Sequence, residues 1–269
     1  MDAPTKRVEI IPAKRRAMIL DYLKVNGTAS IGELTEAIGG SQSTIRRDLE
    51  QLTEGGYLER THGGALLVPP LRATFEREPA LNAHYQHRQK AAIGQEAATR
   101  LKGGESVIFD SSSTVIEVVR ATALRRLPLT VVTNNIEIAR IGSSVPEWRV
   151  IVTGGTLRPR GDLLTGQPGE PFFETIHADV CFTGAYAVTG QILTDASMEI
   201  ASIKRAMIRS ARRTILLVDS TKFQAPAFCT FAQLSQISEV ITDQGVDSDI
   251  ASSLRASGTE LTVVPLTGD

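Results

Sequence analysis

The chain has 269 residues, of which 42% are hydrophobic and 22% are charged, with two cysteines and a formal net charge of −1. This composition is typical of a globular protein with one large core and a small second domain, and it excludes large-scale disorder and a disulfide scaffold. The near-neutral charge gives no sign of a nucleic-acid partner, so a DNA site must be argued from the positions of individual charges.

The sequence indicates a cytoplasmic protein without a membrane segment. The basic start at residues 6–16 is followed by no apolar run of signal-peptide length, and nowhere do about 18 apolar residues run together. Cys181 and Cys229 lie in apolar, strand-like contexts, which predicts buried free thiols. His84 and His87 lack carboxylate or cysteine partners at metal-binding spacing. We therefore expect neither a metal site nor a cofactor.

Three short helices are predicted after a loose arm at residues 1–12. The first spans residues 13–25, and Ser30 caps a second one before Gly39 and Gly40. The third lies in the stretch SQSTIRRDLEQLTEGGYL, residues 41–58, where Ser41 caps the first turn. The apolar stripe of this helix consists of Ile45, Leu49 and Leu52. Its exposed face consists of Ser43, Arg46, Arg47 and Glu50.

A glycine turn follows these helices. Residues 57–61 and 65–67 read as two short strands around His62-Gly63-Gly64, which completes a winged helix-turn-helix pattern. The third helix has a slim, polar amino end and two outward-facing arginines, which suit binding in a DNA major groove. Two alternatives are that the exposed arginines are only solvated and that the helix-turn-helix serves dimerisation. Asp48 is expected to orient an arginine rather than to meet DNA. The predicted DNA-binding residues are Ser30, Ser41, Gln42, Ser43, Thr44, Arg46, Arg47, Arg60, His62 and Gly63.

The segments SQSTIRRDL and GGYLERTHGGA resemble the signature of the DeoR-type bacterial transcriptional repressors. In that family, Ser-x-x-Thr-Ile-Arg-Arg-Asp-Leu lies on the recognition helix of a winged helix-turn-helix. One departure is Gly40, where the family usually has an apolar residue before the capping serine. We expect Ser43 and Arg47 to lie nearest to base edges, with Ser30, Thr44, Arg46, Arg60 and the wing backbone at phosphates.

We predict a DNA-binding domain at residues 1–68, a linker at 69–87 that begins with Pro69 and Pro70, and a second domain at 88–269. In the second domain, helices alternate with short apolar runs, which predicts an α/β fold with a Rossmann-like, mostly parallel sheet covered on both faces. The seven predicted strands are residues 106–109, 129–132, 149–152, 179–182, 214–218, 239–242 and 261–264.

Ligands of such sheets bind at the carboxyl ends of the strands. Four polar or glycine-rich segments follow apolar runs there, and a Ser/Thr run before a helix can give a phosphate both amide and hydroxyl donors. Lys204 is the first candidate for the cation and Lys222 the second, although capping, turns and a solvated lysine are the simpler interpretations. The predicted effector-binding residues are Asp110, Ser111, Ser112, Ser113, Thr114, Thr133, Asn134, Asn135, Gly154, Gly155, Gly184, Lys204 and Lys222.

The segments IFDSSST, VVTNN, VTGG, FTGA and KRAMIRSARRTILLVDSTKF follow the order of the DeoR-type effector domain. That domain is similar in fold to ribose-5-phosphate isomerase and glucosamine-6-phosphate deaminase, and in the family it senses phosphorylated sugars. Two departures are the three serines, where the family often has Asp-Ala/Ser-Gly-Thr-Thr, and the position of Glu199 five residues before Lys204.

The resemblance implies a repressor that binds double-stranded operator DNA as a homodimer or homotetramer and responds to a phosphorylated sugar. The alternative is a sugar-phosphate isomerase or deaminase with a regulatory head, in which Asp110 or Asp219 would be the general base. Neither the Lys-Gly-Gly-Gly-Gly segment of the isomerases nor the Asp-Gly-His segment of the deaminases is present. Activation in place of repression stays open, because its sign depends on where the operator lies.

Overall fold

The structure is a computed structural model that describes residues 10–61, 63–68, 73–76, 78–159 and 161–266. Contacts within the chain divide it into two compact units. The amino-terminal unit comprises residues 1–72 and 77–86, and the carboxyl-terminal unit comprises residues 73–76 and 87–269. Residues 73–76 therefore belong to the second unit, although the chain on both sides of them belongs to the first.

The first three helices of the amino-terminal unit begin and end at local signals in the sequence. Pro12 occupies the first turn of the first helix, where its missing N–H costs nothing. Gly27 and Gly39 end the first two helices with positive φ angles of 75° and 87°. The elements are α1 (Pro12–Asn26), β1 (Thr28–Ser30), α2 (Ile31–Ile38), α3 (Gln42–Glu54), β2 (Leu58–Thr61), β3 (Gly64–Leu67) and α4 (Pro79–His84).

The predicted helix-turn-helix and wing are both present. Ile45 and Leu49 of α3 are fully buried in one core with Leu23 of α1 and Leu34 of α2. Strands β2 and β3 pair in antiparallel fashion across the glycine turn, and β1 adds a third strand beside β3 that the sequence pattern did not predict. The apolar stripe therefore faces inward, as its spacing predicted.

Helix α4 lies in the segment that was predicted to be a linker, and no helix was predicted there. Leu81 and Tyr85 are 0% and 2% exposed and belong to the same core as α1 and α3. The Tyr57 hydroxyl also accepts a hydrogen bond from the backbone N–H of Glu78, at 2.7 Å. Packing against the first three helices therefore orders a segment whose own sequence is mostly polar. Pro69 and Pro70 lie outside the described residues.

The carboxyl-terminal unit alternates strands and helices from its beginning. Its elements are α5 (His87–Ala98), β4 (Ser106–Phe109), α6 (Ser113–Ala123), β5 (Leu129–Thr133), α7 (Ile136–Ser143), β6 (Trp148–Val152), β7 (Thr156–Leu157), β8 (Leu164–Thr165), α8 (Gly169–Phe172), β9 (Ala178–Thr183), β10 (Ala187–Thr189), β11 (Ile192–Asp195), α9 (Met198–Arg209), β12 (Ala211–Leu217), β13 (Cys229–Gln233), β14 (Glu239–Asp243), α10 (Ser248–Ala256) and β15 (Glu260–Val264).

Seven parallel strands form the central sheet in the order β15-β14-β12-β9-β4-β5-β6, which confirms the predicted α/β fold. Alternate residues face opposite layers, so Phe109 of β4 packs with helices α5 and α6, whereas Ile108 packs with α9. Both faces of the sheet are therefore covered. Among the described residues, no helix has the length and apolarity needed to cross a membrane.

Several short elements of this unit were not predicted. Strands β10, β11 and β13 form a separate antiparallel sheet, and β7 pairs with β8 in a hairpin after the Gly154-Gly155 pair. Both cysteines are free, but only Cys181 is buried, and burial raises the pKa of its thiol. Cys229 is half-exposed, so the prediction of a buried thiol was wrong at that position. Its strand β13 lies at the edge of the small sheet.

A close approach between α5 and α6 generates a stability prediction. A Cβ atom on Gly94 would lie 2.7 Å from the carbonyl carbon of Glu117 and 2.9 Å from the amide nitrogen of Val118. We expect Gly94→Ala to lower the free energy of unfolding by about 1–2 kcal/mol, because the backbone clash outweighs a gain of about 1 kcal/mol in helix propensity. Urea denaturation followed by circular dichroism measures the change.

The control is Gly32→Ala in α2, where the nearest atom to the added Cβ, Oγ of Ser30, lies 3.8 Å away. This variant should be neutral or slightly stabilising. Equal effects of the two substitutions would contradict the packing argument.

Candidate functional site

The outward face of α3 carries two exposed arginines, Arg46 and Arg47. Among the described residues, neither forms an ion pair or a side-chain hydrogen bond. Ser43 is exposed on the same helix, one turn before Arg47. These side chains keep their donors available for a partner outside the unit.

The amino end of α3 is capped as predicted. The Ser41 hydroxyl accepts a hydrogen bond from the Thr44 N–H at 3.1 Å and lies 2.7 Å from the Ser43 hydroxyl. Gln42 is exposed beside them. Small polar groups therefore surround the end of the helix that carries partial positive charge.

A second predicted contact, Ser30, lies beside the turn of the wing. The backbone N–H of Ile31 donates to the Gly63 carbonyl at 3.0 Å, and Ser30 pairs with Gly64 across the β1–β3 ladder. Gly63 has a φ of 94°, which a side chain would strain. Arg60 is exposed on β2. His62 lies outside the described residues.

Asp48 is 2% exposed and pairs with Arg15 of α1, whose Nη2 lies 3.2 Å from Oδ1 of the carboxylate. The arginine that Asp48 orients is therefore neither Arg46 nor Arg47. Removing one partner of a buried pair leaves an uncompensated charge, so this contact fixes α3 against α1.

In the carboxyl-terminal unit, the strand register brings the predicted effector segments to one edge of the sheet. Phe109 of β4 pairs with Thr133 of β5 and with Phe182 of β9, and Thr133 pairs with Val152 of β6. The segments that follow these strands, residues 110–113, 134–135, 153–155 and 183–185, therefore lie side by side.

Asp110 ties the first of these segments to the fourth. Its carboxylate is 1% exposed and accepts hydrogen bonds from the Ser112 N–H at 2.7 Å, the Thr183 hydroxyl at 2.8 Å and the Gly184 N–H at 3.0 Å. The Ser112 hydroxyl also donates to it, at 2.8 Å. A Cβ on Gly184 would lie 2.6 Å from that hydroxyl, so the close approach requires glycine.

Lys204 of α9 enters the same cluster and is only 4% exposed. Its Nζ donates to the Gly184 carbonyl at 2.9 Å and to Oδ2 of Asp195 at 3.0 Å, and it lies 3.6 Å from Oδ2 of Asp110. Burial opposes its charge, but the attraction of Asp195 and Asp110 outweighs burial and raises the pKa of Lys204. The predicted ligand cation is thus already engaged with two carboxylates.

The second segment, residues 134–135, follows β5 and is hydrogen-bonded to the β7–β8 hairpin. Nδ2 of Asn134 donates to the Leu164 carbonyl at 2.9 Å, and Oδ1 of Asn135 caps α7 by accepting from the Ile138 N–H. Oδ1 of Asn134 is buried and accepts no hydrogen bond from the described residues. A buried acceptor of this kind favours a ligand that carries a donor.

The glycine pair in the third segment has a packing function. A Cβ on Gly155 would lie 2.7 Å from the Thr165 carbonyl oxygen, and a Cβ on Gly154 would lie 3.4 Å from the Pro168 ring. Their backbone approaches the hairpin and the loop behind it. The sequence suggested that a ligand lies close to this backbone. In the structure, the hairpin and the loop behind it fill the space beside the two glycines.

The start of α6 offers donors at this edge. Ser111, Ser112 and Ser113 are partly exposed, whereas Thr114 is 4% exposed and faces inward. Among the described residues, the Ser112 side chain makes no capping bond to α6, unlike Asn135 at the start of α7. The first turn of α6 therefore presents backbone donors that its own cap does not occupy.

Lys222 follows β12, the strand beside β9, and its Nζ lies 5.5 Å from the centre of the Tyr186 ring. It is half-exposed, so it combines a cation–π contact with access to solvent.

Asp195 and Thr183 were not among the predicted site residues, although both contact the central cluster. Asp195 ends β11, a strand that the sequence pattern did not predict, and its only signal was a carboxylate nine residues before Lys204. Thr183 ends β9 immediately before the predicted Gly184. The two residues show that the cluster is built from the ends of three strands and one helix.

We expect Lys204→Met to lower the free energy of unfolding by about 3–5 kcal/mol, because two buried carboxylates lose their counter-charge. Since the pKa of Lys204 is raised, its contribution is fully present below the ordinary lysine value of 10.5 and is lost only as pH rises through the higher folded value. Urea denaturation at pH 8 measures the loss.

Arg209→Met, in the exposed last turn of the same helix, is the matched control and should cost less than about 1 kcal/mol. If Lys204→Met cost no more than this control, the ion-pair interpretation would be wrong.

Comparison with known proteins gives matches in both units. The family model of the DeoR-like helix-turn-helix domain matches residues 15–70, and that of the DeoR C terminal sensor domain matches residues 85–244. Part of the chain is similar to the solved structure of ribose 5-phosphate isomerase A of Methanocaldococcus jannaschii, with 16% identity, a TM-score of 0.38, and coverage of 50% of this chain and 53% of that one. A similarity at this score carries no conclusion about function.

Relatives of nearly the same length are transcriptional regulators. The HTH-type transcriptional regulator GlpR of Haloferax volcanii is 32% identical over 252 residues, which cover 93% of this chain and 96% of that protein. The HTH-type transcriptional repressor GlcR of Bacillus subtilis is 30% identical over 250 residues, covering 93% and 95%. The chain therefore belongs to the DeoR family of transcriptional regulators.

Proposed function

We propose that this protein represses a carbohydrate-metabolism operon and that a phosphorylated sugar alters its affinity for operator DNA. Repression is favoured because relatives such as GlcR and the putative aga operon repressor of Escherichia coli are named as repressors. A single winged helix buries little DNA surface, so two or four copies of the chain would act together on repeated half-sites in the cytoplasm.

The DNA-binding half of the proposal is supported by the unpaired arginines of α3. Arg47 and Ser43 lie on the face that would enter the major groove, where arginine forms paired hydrogen bonds with guanine. Arg46, Arg60 and the Gly63 turn would contact phosphates on either side. The near-neutral charge of the chain implies that a few well-placed contacts carry the binding.

The observation that carries the effector half is the buried, unpartnered Oδ1 of Asn134, at the same sheet edge as the serine-rich start of α6. A sugar hydroxyl would donate to Asn134, while a phosphate would accept hydrogen bonds from Ser111, Ser113 and the first turn of α6. Lys204 would act indirectly, because its contacts with Asp110 and Asp195 hold the loops in place.

The regulation would be linkage between two sites. An effector changes operator affinity only if it binds the DNA-competent and DNA-incompetent states unequally. A tenfold change in operator affinity needs about 1.4 kcal/mol of difference in effector affinity. A few charge-assisted hydrogen bonds to a phosphate are sufficient.

We expect Arg47→Ala to weaken specific DNA binding by about 1–3 kcal/mol and to relax the preference for one base pair. Arg46→Ala should weaken specific and nonspecific binding alike and lower the salt slope by about one. Fluorescence anisotropy with the DNA that flanks the protein's own gene, at several salt concentrations, separates the two.

Lys24→Ala, in the last turn of α1, removes the same charge and serves as the control. No specific binding by the unmodified protein at moderate salt would refute the proposed function. A loss with Lys24→Ala equal to that with Arg47→Ala would refute only the assignment of α3.

A thermal-shift screen against sugar phosphates tests the effector half. A true effector at 100 times its dissociation constant should stabilise the protein by about 2.7 kcal/mol. Ser111→Ala and Asn134→Ala should reduce that stabilisation because each removes a proposed ligand group. Ser143→Ala, at the other end of α7, should leave it unchanged. An unchanged shift in both site variants would place the effector elsewhere.

A further inference from the structure

The chain segment Ala73–Glu76, which we name the anchor segment, is attached to the carboxyl-terminal unit. The backbone N–H of Phe228 donates to the Ala73 carbonyl at 3.1 Å. Nη2 of Arg158 lies 3.0 Å and 3.3 Å from the two carboxylate oxygens of Glu76. On both sides of the anchor segment, the chain continues into residues of the amino-terminal unit. Any change in its attachment therefore reaches that unit through covalent bonds.

The hairpin that carries Arg158 is hydrogen-bonded to two residues of the candidate effector site, Asn134 and Asn135. Arg158 follows β7 in the hairpin, and its backbone N–H donates to the Leu163 carbonyl at 2.9 Å. Leu163 forms a bridge with Asn135, and the next residue, Leu164, accepts the hydrogen bond from Nδ2 of Asn134. The hairpin that holds Arg158 is thus joined to the residues that carry the unpartnered amide oxygen.

Arg158 forms an ion pair with Glu76, and its charge also acts on Glu199, a carboxylate that is held more firmly. Glu199 lies in the first turn of α9, where the Ser197 hydroxyl donates to it at 2.5 Å. This hydrogen bond, together with a smaller contribution from Arg158, lowers the pKa of Glu199. Glu76 is on the short anchor segment, and both Glu76 and Arg158 are about one third exposed. Glu76 is therefore the carboxylate that an incoming anion displaces more easily.

Resting on the proposed function, we propose that Glu76 competes with a phosphorylated ligand for the guanidinium of Arg158. When the ligand binds at the effector site, its phosphate pairs with Arg158 in place of Glu76, and the anchor segment is released. The exchange replaces one anion by another on the same guanidinium. Because Glu76 must leave as the phosphate binds, ligand affinity and anchoring oppose each other. The released segment carries this coupling to the DNA-binding unit along the chain.

Inorganic phosphate is the probe for the competition, with its dissociation constant measured by calorimetry at constant ionic strength. Glu76→Gln keeps the shape of the side chain but removes the competing charge, so phosphate should bind about threefold to fivefold more tightly. Arg158→Gln should weaken phosphate binding. In the double variant, Glu76→Gln should have no further effect, because the group for which it competes is gone.

Hydrogen exchange at the Phe228 amide reports the release of the anchor segment. Phosphate should speed this exchange in the unmodified protein, and Glu76→Gln should show the faster exchange without phosphate. The Glu76→Gln variant, without phosphate, should then bind the DNA that flanks the protein's own gene with the same affinity as the phosphate-saturated unmodified protein.

Glu260→Gln removes the same charge from the start of β15, at the opposite edge of the sheet, and is the matched control. If Glu76→Gln binds phosphate no more tightly than this control while the unmodified protein responds to phosphate, the competition is refuted and the proposed function stands. If neither phosphate nor any sugar phosphate binds the unmodified protein, both proposals fall.

Discussion

A buried ammonium between two buried carboxylates holds together the edge of the sheet where the candidate effector segments lie. Lys204 comes from α9, Asp195 from β11 and Asp110 from the end of β4, so one charge cluster joins two consecutive elements to a strand that is distant in sequence. None of these groups could be buried alone at acceptable cost, and each requires the others to be in place. The serine loop and Gly184 take their positions from this cluster through the hydrogen bonds to Asp110.

The amino-terminal unit uses the same principle with a smaller pair. Asp48 is buried on the inner side of α3 and is neutralised by Arg15, so this carboxylate is kept away from the outer face of the helix. Arg46 and Arg47 then present uncompensated charge on that face. A unit with nearly balanced charge can therefore attract phosphates locally, because the exposed face of α3 carries two arginines against one carboxylate, Glu50.

Most of the fold could be predicted because apolar runs and glycine stops are local signals. All seven strands of the parallel sheet and the three helices of the winged unit were predicted from them. The small antiparallel sheet was not predicted, because its strands are short and mixed in polarity, and this hid Asp195 on β11. Because Asp195 was not recognised, Lys204 was predicted to contact a ligand. In the structure, its ammonium group instead donates a hydrogen bond to Asp195. Helix α4 was missed because its burial depends on α1 and not on its own pattern.

The strengths of these ion pairs indicate where a regulatory transition can occur. Breaking the Lys204 cluster would cost several kcal/mol, too much for a contact that must open and close at each binding event. The exposed pair between Glu76 and Arg158 is worth at most about 1 kcal/mol, so one exchange alone changes operator affinity by less than about tenfold. In a homodimer on one operator, two such contributions add. A contact too weak to control a monomer would then be sufficient, so the proposed oligomer would contribute to regulation as well as to DNA recognition.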